Sequence, residues 1–479
     1  MGEASPLLHF LFVSFPGQGH LNPLLRLAKR VASKGPLVTF STTLDLGNRI
    51  SAASADAESD SDLIPVGRGL LRFEFFDDGT DPTDPHRDDL DNLMARLESN
   101  GPPALTNLIN RQTDAGRPVS CLINNPFLPW ALNVAEDLGI PSAVLWVQSC
   151  AVFSTYYHFH HKLADFPTEE NPDRTVNLPG LPPMRPEDLP TFLLPSNPYK
   201  PLTNVILAVF ANSFEELERD AFDAIAGRLQ IPVIPVGPLV EAGEPQEKIK
   251  ADMWKPEDRC IEWLDKQEKR SVVYVSAGSI VMLNSSEMQE LAFGLRNSGR
   301  PFLKVRENLR ELLPKGFKEE IEAEGKSILV EWSPQEKVLA HKSLACFVTH
   351  CGWNSTLELI AAGVPAIAFP QWGDQVPDAK FLCDVHGIGV RIPTPAARAE
   401  IVRCLTAATD GPDAEAMLLR AKEWKEIARA AVTSGGSSDR NIERFVDDVR
   451  KWVANGGGGV VDSVAGVCRV IQGSCAVAT

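Results

Sequence analysis

Short apolar runs alternate with amphipathic stretches along the N-terminal half of the chain. The apolar runs predict buried strands at residues 9–14, 37–41, 121–124 and 142–147. Stretches with a helical period separate them, the clearest at residues 21–33 and 129–138. Apolar strands that alternate with amphipathic helices are typical of a parallel sheet covered by helices on both faces.

The same alternation resumes in the C-terminal half, after a Pro-rich and acidic segment at residues 231–246. Strands are predicted at residues 271–276, 302–306, 328–331, 346–349 and 366–369, and helices at residues 286–297, 309–325, 335–342, 354–362 and 375–386. This pattern predicts an α/β protein with two Rossmann-like, doubly wound domains. Ligands bind beyond the carboxyl ends of the strands in such open sheets, so we expect the two domains to face one cleft.

The predicted boundaries divide the chain into five parts. Residues 1–238 form the N-terminal domain, residues 239–258 the linker and residues 259–438 the C-terminal domain. Residues 439–453 are expected to form a helix that packs back on the N-terminal domain. Residues 454–479, which include a run of four glycines, lack periodicity and are expected to be a flexible tail.

Composition and charge narrow the classes of function. The 479-residue chain has a formal net charge of −16, which opposes binding to a nucleic-acid backbone. Its nine cysteines form no C-x-x-C pair, and scattered thiols suit a reducing compartment. The first residues lack the basic character of a signal peptide, and no uncharged stretch approaches the length of a membrane span. We therefore expect a soluble, cytoplasmic monomer without nucleic-acid or membrane partners.

The stretch 332–375 contains the candidate ligand-binding residues. His350 and Gly352 follow a predicted strand, and Asn354 and Ser355 begin the next helix. A helix N-terminus offers free N–H groups and the positive end of its dipole, and a glycine lets an anion approach the backbone. Since the other three side chains add donors, this junction predicts a diphosphate site that needs no metal.

Other residues of this stretch suit the rest of a nucleotide sugar. Trp332 ends a strand and can stack on a base. Glu358 lies one helical turn beyond Asn354 and can accept hydrogen bonds from a ribose diol. Asp374 and Gln375 begin a further helix at the same edge and can bind sugar hydroxyls, although Asp374 also suits a helix cap.

These motifs together resemble the signature of plant secondary-product UDP-glycosyltransferases, and the resemblance extends to residues 17–23 and 435–441. It implies a GT-B type fold, with an acceptor site in the N-terminal domain and a UDP-sugar site in the C-terminal domain. It also implies UDP-glucose as co-substrate, with no cofactor and no metal. The donor-binding residues that it implies are Ser279, Trp332, Gln335, His350, Gly352, Trp353, Asn354, Ser355, Glu358, Asp374 and Gln375.

His20 follows the first strand and a Gly-containing turn, where it can remove the proton of an acceptor. The resemblance implies that the acceptor attacks the anomeric carbon in a single displacement with inversion. Similar enzymes orient this histidine with an aspartate, but Asn125 stands at the matching position. Asn125 either orients His20 instead or is a turn residue at the end of a strand.

Asn125 also bears on the identity of the acceptor. A carboxylic acid is already ionised at neutral pH, so it needs little help from a base, and a buried aspartate would repel it. Several local stretches resemble the glucose-ester-forming branch of the family, which acts on hydroxycinnamates, benzoates, limonoids or indole-acetic acid. We therefore expect a small carboxylic acid or aromatic acceptor, in a pocket that includes Phe15, Gln18, Trp146 and Gln148.

Three alternatives remain open. The first is transfer to a phenolic or flavonoid hydroxyl. The second is an NAD(P)-dependent oxidoreductase, suggested by the glycines at 17 and 19, although Asn22 replaces the third glycine of that fingerprint. The third is a non-catalytic UDP-sugar-binding protein, suggested by Asn125 and by the shortened strand that contains Lys304. Ala277 stands in place of a bulky residue, which could enlarge the cleft. We interpret Lys304 as an ordinary strand-end charge, and Trp353 could simply pack between domains.

Overall fold

The computed structural model describes residues 8–53, 63–81, 89–197, 210–226, 228, 233–241, 259–278, 283–305 and 312–456. Several sequence-based predictions fall partly or wholly outside these residues: Ser279, most of the linker at 239–258, the start of the helix at 309–325, the end of the strand at 302–306, and the tail at 454–479 beyond residue 456. The domain boundaries themselves stay a prediction.

The N-terminal part of the chain builds a mostly parallel sheet. Its strands are β1 His9–Val13, β2 Leu37–Ser41, β3 Ile64–Val66, β4 Gly69–Phe73, β5 Cys121–Asn124, β6 Ser142–Trp146, β7 Phe210–Ala211 and β8 Ile234–Pro235. Among the described residues their order is β3-β4-β2-β1-β5-β6-β7-β8, and only β3 and β4 pair antiparallel. β1, β2, β5 and β6 are buried along their whole length, as central strands covered on both faces must be.

Helices cover both faces of this sheet. They are α1 Gln18–Ser33, α2 Leu44–Ala53, α3 Leu90–Asp114, α4 Trp130–Asp137, α5 Cys150–His160 and α6 Glu215–Ala226. The N-terminus of α1 follows β1 after a short loop, so the first turn of α1 lies at the carboxyl end of the sheet. This position brings His20 to the edge where ligands bind in open α/β sheets.

The C-terminal part builds a second sheet, in which all the described neighbours pair in parallel. Its strands are β9 Val272–Ser276, β10 Phe302–Val305, β11 Ile328–Val330, β12 Leu344–Thr349, β13 Ala366–Ala368 and β14 Gly389–Arg391, in the order β11-β10-β9-β12-β13-β14. Its helices are α7 Arg259–Asp265, α8 Ser285–Asn297, α9 Phe317–Glu324, α10 Gln335–Leu339, α11 Trp353–Ala362, α12 Gln375–Lys380, α13 Arg398–Thr409 and α14 Ala414–Val432. The helix predicted at 375–386 continues after α12 as a π-helical turn, Phe381–Val385.

The last described helix, α15 Ser437–Ala454, returns to the N-terminal sheet. The Phe445 ring lies 4.7 Å from that of Phe210 and 5.8 Å from that of Phe10. Near the start of the helix, Lys34, the residue that follows α1, forms an ion pair with Asp439 at 2.5 Å. Aromatic packing and charge therefore hold α15 against strands and a helix that lie more than 200 residues earlier in the chain.

Lys304 corrects one interpretation from the sequence. It pairs with Val275 of β9 and Leu329 of β11, so it lies inside the sheet, and it is only 2% exposed. Burial lowers its pKa to about 8, and its Nζ has no hydrogen-bond partner among the described residues. Lys304 is thus a buried ammonium group in a sheet interior, because β10 continues to residue 305 between two neighbours.

Candidate active site

The two sheets meet where α11 touches the first turn of α1. Asn354 Nδ2 donates to the carbonyl oxygen of Gly19 at 2.8 Å. This carbonyl lacks its helical partner because Pro23, four residues later, has no N–H to donate. Beside it, the buried Trp353 donates its indole N–H to the carbonyl oxygen of Asn212 at 2.6 Å. Trp353 and Asn354 therefore join the two halves of the molecule, which places His20 close to the N-terminus of α11.

The junction between β12 and α11 has a constrained backbone. Cys351 adopts a left-handed conformation with φ of 66°, and its N–H donates to Thr349 Oγ1 at 3.1 Å. A Cβ atom at Gly278 would lie 2.5 Å from His350 Nε2, and one at Gly352 would lie 2.4 Å from the same atom. The imidazole of His350 therefore packs between two glycines, and a larger residue at either position would displace it from the helix N-terminus.

Gln335 is the centre of a hydrogen-bond network beneath this junction. Its Nε2 donates to Ser355 Oγ at 2.8 Å and to Glu358 Oε2 at 2.6 Å, and its Oε1 accepts from the Tyr274 hydroxyl at 3.0 Å. Burial is the main cause that raises the pKa of Glu358, to about 7. The network thus holds the Glu358 carboxyl in one place, as recognition of a ribose diol requires.

Trp332 lies two residues after the end of β11, next to this network, and it is partly exposed. Its neighbour Ser333 is buried and hydrogen-bonds the Tyr274 hydroxyl at 3.0 Å. The backbone on one side of Trp332 is therefore anchored in the sheet, while the indole keeps an accessible surface for stacking.

Asp374 and Gln375 lie at the start of α12, facing the N-terminus of α11. Burial raises the pKa of Asp374 to about 6. Hydrogen bonds from two backbone N–H groups, its own and that of Trp353, act in the opposite direction and lower it. Asp374 forms no side-chain cap within α12, so the structure does not give it the capping role that the sequence suggested. Gln375 is buried, and its Oε1 accepts from the N–H groups of Gln371 and Trp372 at 2.9 and 3.3 Å.

On the other side of the cleft, aromatic rings surround His20. The ring centroids of Phe15 and Phe127 lie 5.3 and 4.5 Å from that of His20, both edge to face. Desolvation alone lowers the pKa of His20 to about 4, and its Nδ1 is buried without a hydrogen-bond partner among the described residues. His20 is therefore neutral at physiological pH, with no charged group beside it in the described part of the chain.

Asn125 forms no hydrogen bond with the imidazole of His20. Its Oδ1 accepts from the Phe15 N–H at 2.7 Å, and its Nδ2 donates to the carbonyl oxygen of His20 at 3.4 Å. This corrects the expectation that Asn125 orients the ring in place of an aspartate. The residue instead links two backbone segments, a task that needs an acceptor and a donor on one side chain.

Comparison with known proteins places these features in a family. A family model described as UDP-glucoronosyl and UDP-glucosyl transferase matches residues 245–402. The chain is 48% identical to a limonoid UDP-glucosyltransferase of Citrus unshiu, over 94% of this chain and 91% of that protein. It is 47% identical to a gallate 1-beta-glucosyltransferase of Quercus robur, over 93% of this chain and 90% of that protein. The chain belongs to the UDP-glucosyltransferase family.

A solved structure of a relative supports the same conclusion for the fold of this UDP-glucosyltransferase. Os79 of O. sativa, in complex with UDP, matches with a TM-score of 0.79 and 30% identity, over 92% of this chain and 100% of that one. The predicted family, the GT-B type fold and the assignment as an enzyme are therefore confirmed. Membership of this family excludes the oxidoreductase alternative.

The predicted acceptor-pocket residues have different surroundings in this UDP-glucosyltransferase. Phe15 lies against His20, whereas Gln18 donates from Nε2 to Asn22 Oδ1 at 2.8 Å, within α1. Gln148 is partly exposed at the end of β6. Trp146 is 5% exposed and donates its indole N–H to the carbonyl oxygen of Ser149 at 2.9 Å. The structure thus packs Trp146 beneath α5, and its assignment to the acceptor pocket stays a prediction.

Sequence reasoning missed a buried acidic group between the two halves of this enzyme. Asp378, one turn after Asp374, is 1% exposed and accepts from Ser149 Oγ at 3.0 Å. Burial and the nearby Asp374 raise the pKa of Asp378 well above its ordinary value. Glu218 lies behind it and accepts from the N–H groups at the start of α5. Only the three-dimensional contact reveals this group, because its members are far apart in sequence.

Two further observations concern metals and membranes. Among the described residues, no group of three or more histidine, cysteine, aspartate or glutamate side chains is arranged to hold a metal ion. In the same part of the chain, no helix combines the length and the apolar character that crossing a membrane requires.

Proposed function

We propose that this enzyme transfers glucose from UDP-glucose to the carboxyl group of a small aromatic acid, with inversion, to give a 1-O-acyl glucose ester. The observation that carries the proposal is the uncharged environment of His20, in which Asn125 occupies the position expected for an aspartate. The relative from Quercus robur, 47% identical, is named for gallate, which is a carboxylic acid.

The donor side of the proposal rests on the residues around α11. The pyrophosphate binds at the N-terminus of α11, with His350 and Ser355, and the uracil stacks on Trp332. Glu358 accepts hydrogen bonds from the ribose, while Asp374 and Gln375 bind the glucose. The family model covers all of these positions, since it matches residues 245–402.

The reaction follows from the ionisation state of the acceptor. A carboxylate oxygen attacks the anomeric carbon while the bond from that carbon to the UDP oxygen breaks, and the electron pair leaves with UDP. No proton has to be removed, because the acid is ionised above its pKa of about 4. Neutral His20, whose pKa lies near 4, then positions the carboxylate rather than acting as a strong base. A phenol, in contrast, would have to transfer its proton to His20.

We further propose that the enzyme works as a cytosolic monomer without a cofactor or a bound metal, and that the domain boundaries lie where the sequence pattern changes. None of the seven described cysteines is in a disulfide bond and six of them are buried, which suits a reducing compartment. Light scattering on the purified enzyme and assays in the presence of EDTA test the monomer and the absence of a metal requirement.

Product analysis tests the proposal for the acceptor. The enzyme is incubated with UDP-glucose and either cinnamic acid or a phenol without a carboxyl group, and the products are treated with mild alkali and identified by mass spectrometry. We expect an alkali-labile glucose ester from cinnamic acid. An alkali-stable phenolic glucoside as the only product would contradict the ester assignment and favour the alternative acceptor class, phenolic or flavonoid hydroxyls.

A further inference from the structure

Arg26, on the same helix as His20, reaches across to the donor side. Its Nη2 lies 2.9 Å from Glu336 Oε1, and its Nη1 lies 3.5 Å from Glu358 Oε1. The Nη1 atom also donates to the carbonyl oxygen of Leu239 at 2.9 Å. The side chains of Arg26 and Glu358 are each only 10% exposed. The buried guanidinium of Arg26 therefore connects α1 to the segment after β8, to α10 and to α11. The helix α10 carries Gln335, and α11 carries Glu358.

The charged groups around Glu358 have opposing effects on its pKa. Glu336 on α10 repels its carboxylate, Arg26 on α1 attracts it, and Gln335 donates a hydrogen bond to it. Across the network, the Tyr274 hydroxyl of β9 is a neutral donor. Burial and Glu336 raise the pKa of Glu358 to about 7 against the opposing effect of Arg26. Arg26 and the hydrogen bond from Gln335 therefore both favour the charged form of Glu358 at neutral pH, and Arg26 is the cation among them.

Glu241 completes the cluster and fixes its geometry. Its N–H donates to Glu336 Oε1 at 2.9 Å, and its carboxylate pairs with Lys29 of α1 at 2.6 Å. Because Lys29 neutralises Glu241, the guanidinium of Arg26 remains available to Glu336 and Glu358. Arg26 and Lys29, one turn apart on α1, thus divide three carboxylates between them.

We propose that Arg26 is a positioning residue for the donor, which favours the charged form of Glu358, aims it at the ribose and so ties UDP recognition to the helix that bears His20. The inference rests on the proposed function, because it takes Glu358 as the ribose-binding group. It assigns to the acceptor-side domain a residue that determines affinity for the donor.

The test is the pH dependence of UDP affinity, measured by calorimetry from pH 6 to pH 9 as the ratio of variant to wild-type Kd. Arg26→Gln removes the attraction and raises the pKa of Glu358. A rise of one unit leaves about a tenth of Glu358 ionised at pH 7 instead of half, which weakens UDP binding about fivefold. The effect should shrink towards pH 9, where Glu358 is ionised in both proteins. Glu336→Gln should lower the pKa of Glu358 and so strengthen UDP binding near pH 7. The Kd of Arg26→Lys should stay close to that of the wild type.

Arg30→Gln is the matched control. Arg30 lies one turn further along α1 and donates to the carbonyl oxygens of Val236 and Pro238, at 3.3 and 3.0 Å, much as Arg26 donates to that of Leu239. For Arg30→Gln we expect the ratio of variant to wild-type Kd for UDP to be independent of pH. If Arg26→Gln also gave a ratio of one, or a weakening that is the same at every pH, the proposal for Arg26 would be overturned. If Arg26→Gln does not fold, an unshifted curve for Glu336→Gln overturns the proposal. Failure of the wild type to bind UDP would instead refute the proposed function.

Discussion

The donor side and the acceptor side of the cleft differ in the polarity of the residues that line them. The donor side, around Glu358, Gln335 and Asp374, is a network of buried polar and charged groups that hydrogen-bond one another. The acceptor side presents one histidine between two phenylalanines, with no charged group acting on it. A diphosphate nucleotide needs many fixed donors and acceptors, whereas a carboxylate that arrives already ionised needs mainly the absence of a competing negative charge.

Removal of the His20 imidazole tests this difference with the largest expected effect. For a phenolic acceptor, loss of a general base should reduce kcat/KM by about 10²–10⁴-fold. For a carboxylic acid acceptor we expect His20→Ala to reduce kcat/KM by about tenfold or less, because no proton transfer is lost. Steady-state rates with cinnamic acid and with a phenol of similar size measure both values. Equal losses for the two acceptors would show that His20 acts as a base in both reactions.

The stability contributions of Glu358 on the donor side and His20 on the acceptor side should also depend on pH in opposite directions. The pKa of Glu358 is raised from 4.5 to about 7 in the folded protein. Its contribution to the free energy of unfolding is therefore fully present below about pH 4.5 and is lost as the pH rises through 7. The pKa of His20 is lowered to about 4, so its contribution is full above about 6.5 and is lost as the pH falls to 4. Each shift corresponds to about 3 kcal/mol.

Urea denaturation at several pH values measures these contributions. Relative to the wild type, Glu358→Gln should gain unfolding free energy as the pH rises from 4.5 to 7, and His20→Gln should gain it as the pH falls from 6.5 to 4. Slopes of the same sign for both variants would contradict the contrast between the two sides.

Lys304 is an exception on the donor side, because its buried ammonium lacks a partner among the described residues. Its pKa is lowered to about 8, so the unfolded chain binds more protons between pH 8 and 10.5, and the destabilisation is greatest below pH 8. We expect Lys304→Met to raise the free energy of unfolding at pH 7 by about 2–3 kcal/mol. Chemical denaturation at pH 7 and pH 10 measures this gain, which should be smaller at the higher pH. No gain at pH 7 would mean that the ammonium is solvated or paired.

The smallest expected effect concerns the contact that joins the two sides. Pro23→Ala would restore the N–H that the carbonyl of Gly19 lacks, and this N–H would then compete with Asn354 for the same oxygen. We expect α1 to become more stable, while the KM for UDP-glucose rises a few-fold because Asn354 loses its anchor. Thermal unfolding and initial rates measure the two effects separately. A lower KM would contradict the role given to this contact.

The donor side could be predicted from the sequence because its residues are close together in the chain. Strand ends and helix starts at 332–335, 349–358 and 374–375 bring their side chains to one sheet edge, so local pattern and topology suffice. The predicted strands and most of the predicted helices correspond to β1, β2, β5, β6 and β9–β13 and to their helices, with end points that differ by a few residues. The helix predicted at 309–325 is an exception, because α9 begins only at Phe317, directly after the left-handed Gly316.

The sequence was less informative wherever a role depends on contacts between distant segments. Arg26 looks like an ordinary cation of an amphipathic helix until Glu336 and Glu358 are placed beside it. The burial of Trp146 could not be predicted from its own stretch of sequence, because it results from packing against α5. Lys304 resembles a strand-end charge because the pattern gives no sign that β10 extends past it between two neighbouring strands.

One acceptor that carries both functional groups tests the account most directly. When 4-hydroxycinnamic acid and UDP-glucose are incubated with the wild-type enzyme at pH 7, NMR of the product distinguishes the carboxyl ester from the phenolic glucoside within a single molecule. An uncharged pocket around His20 predicts the ester as the main product, because the carboxylate is ionised and the phenol is not. A product glucosylated mainly at the phenolic oxygen would contradict the account.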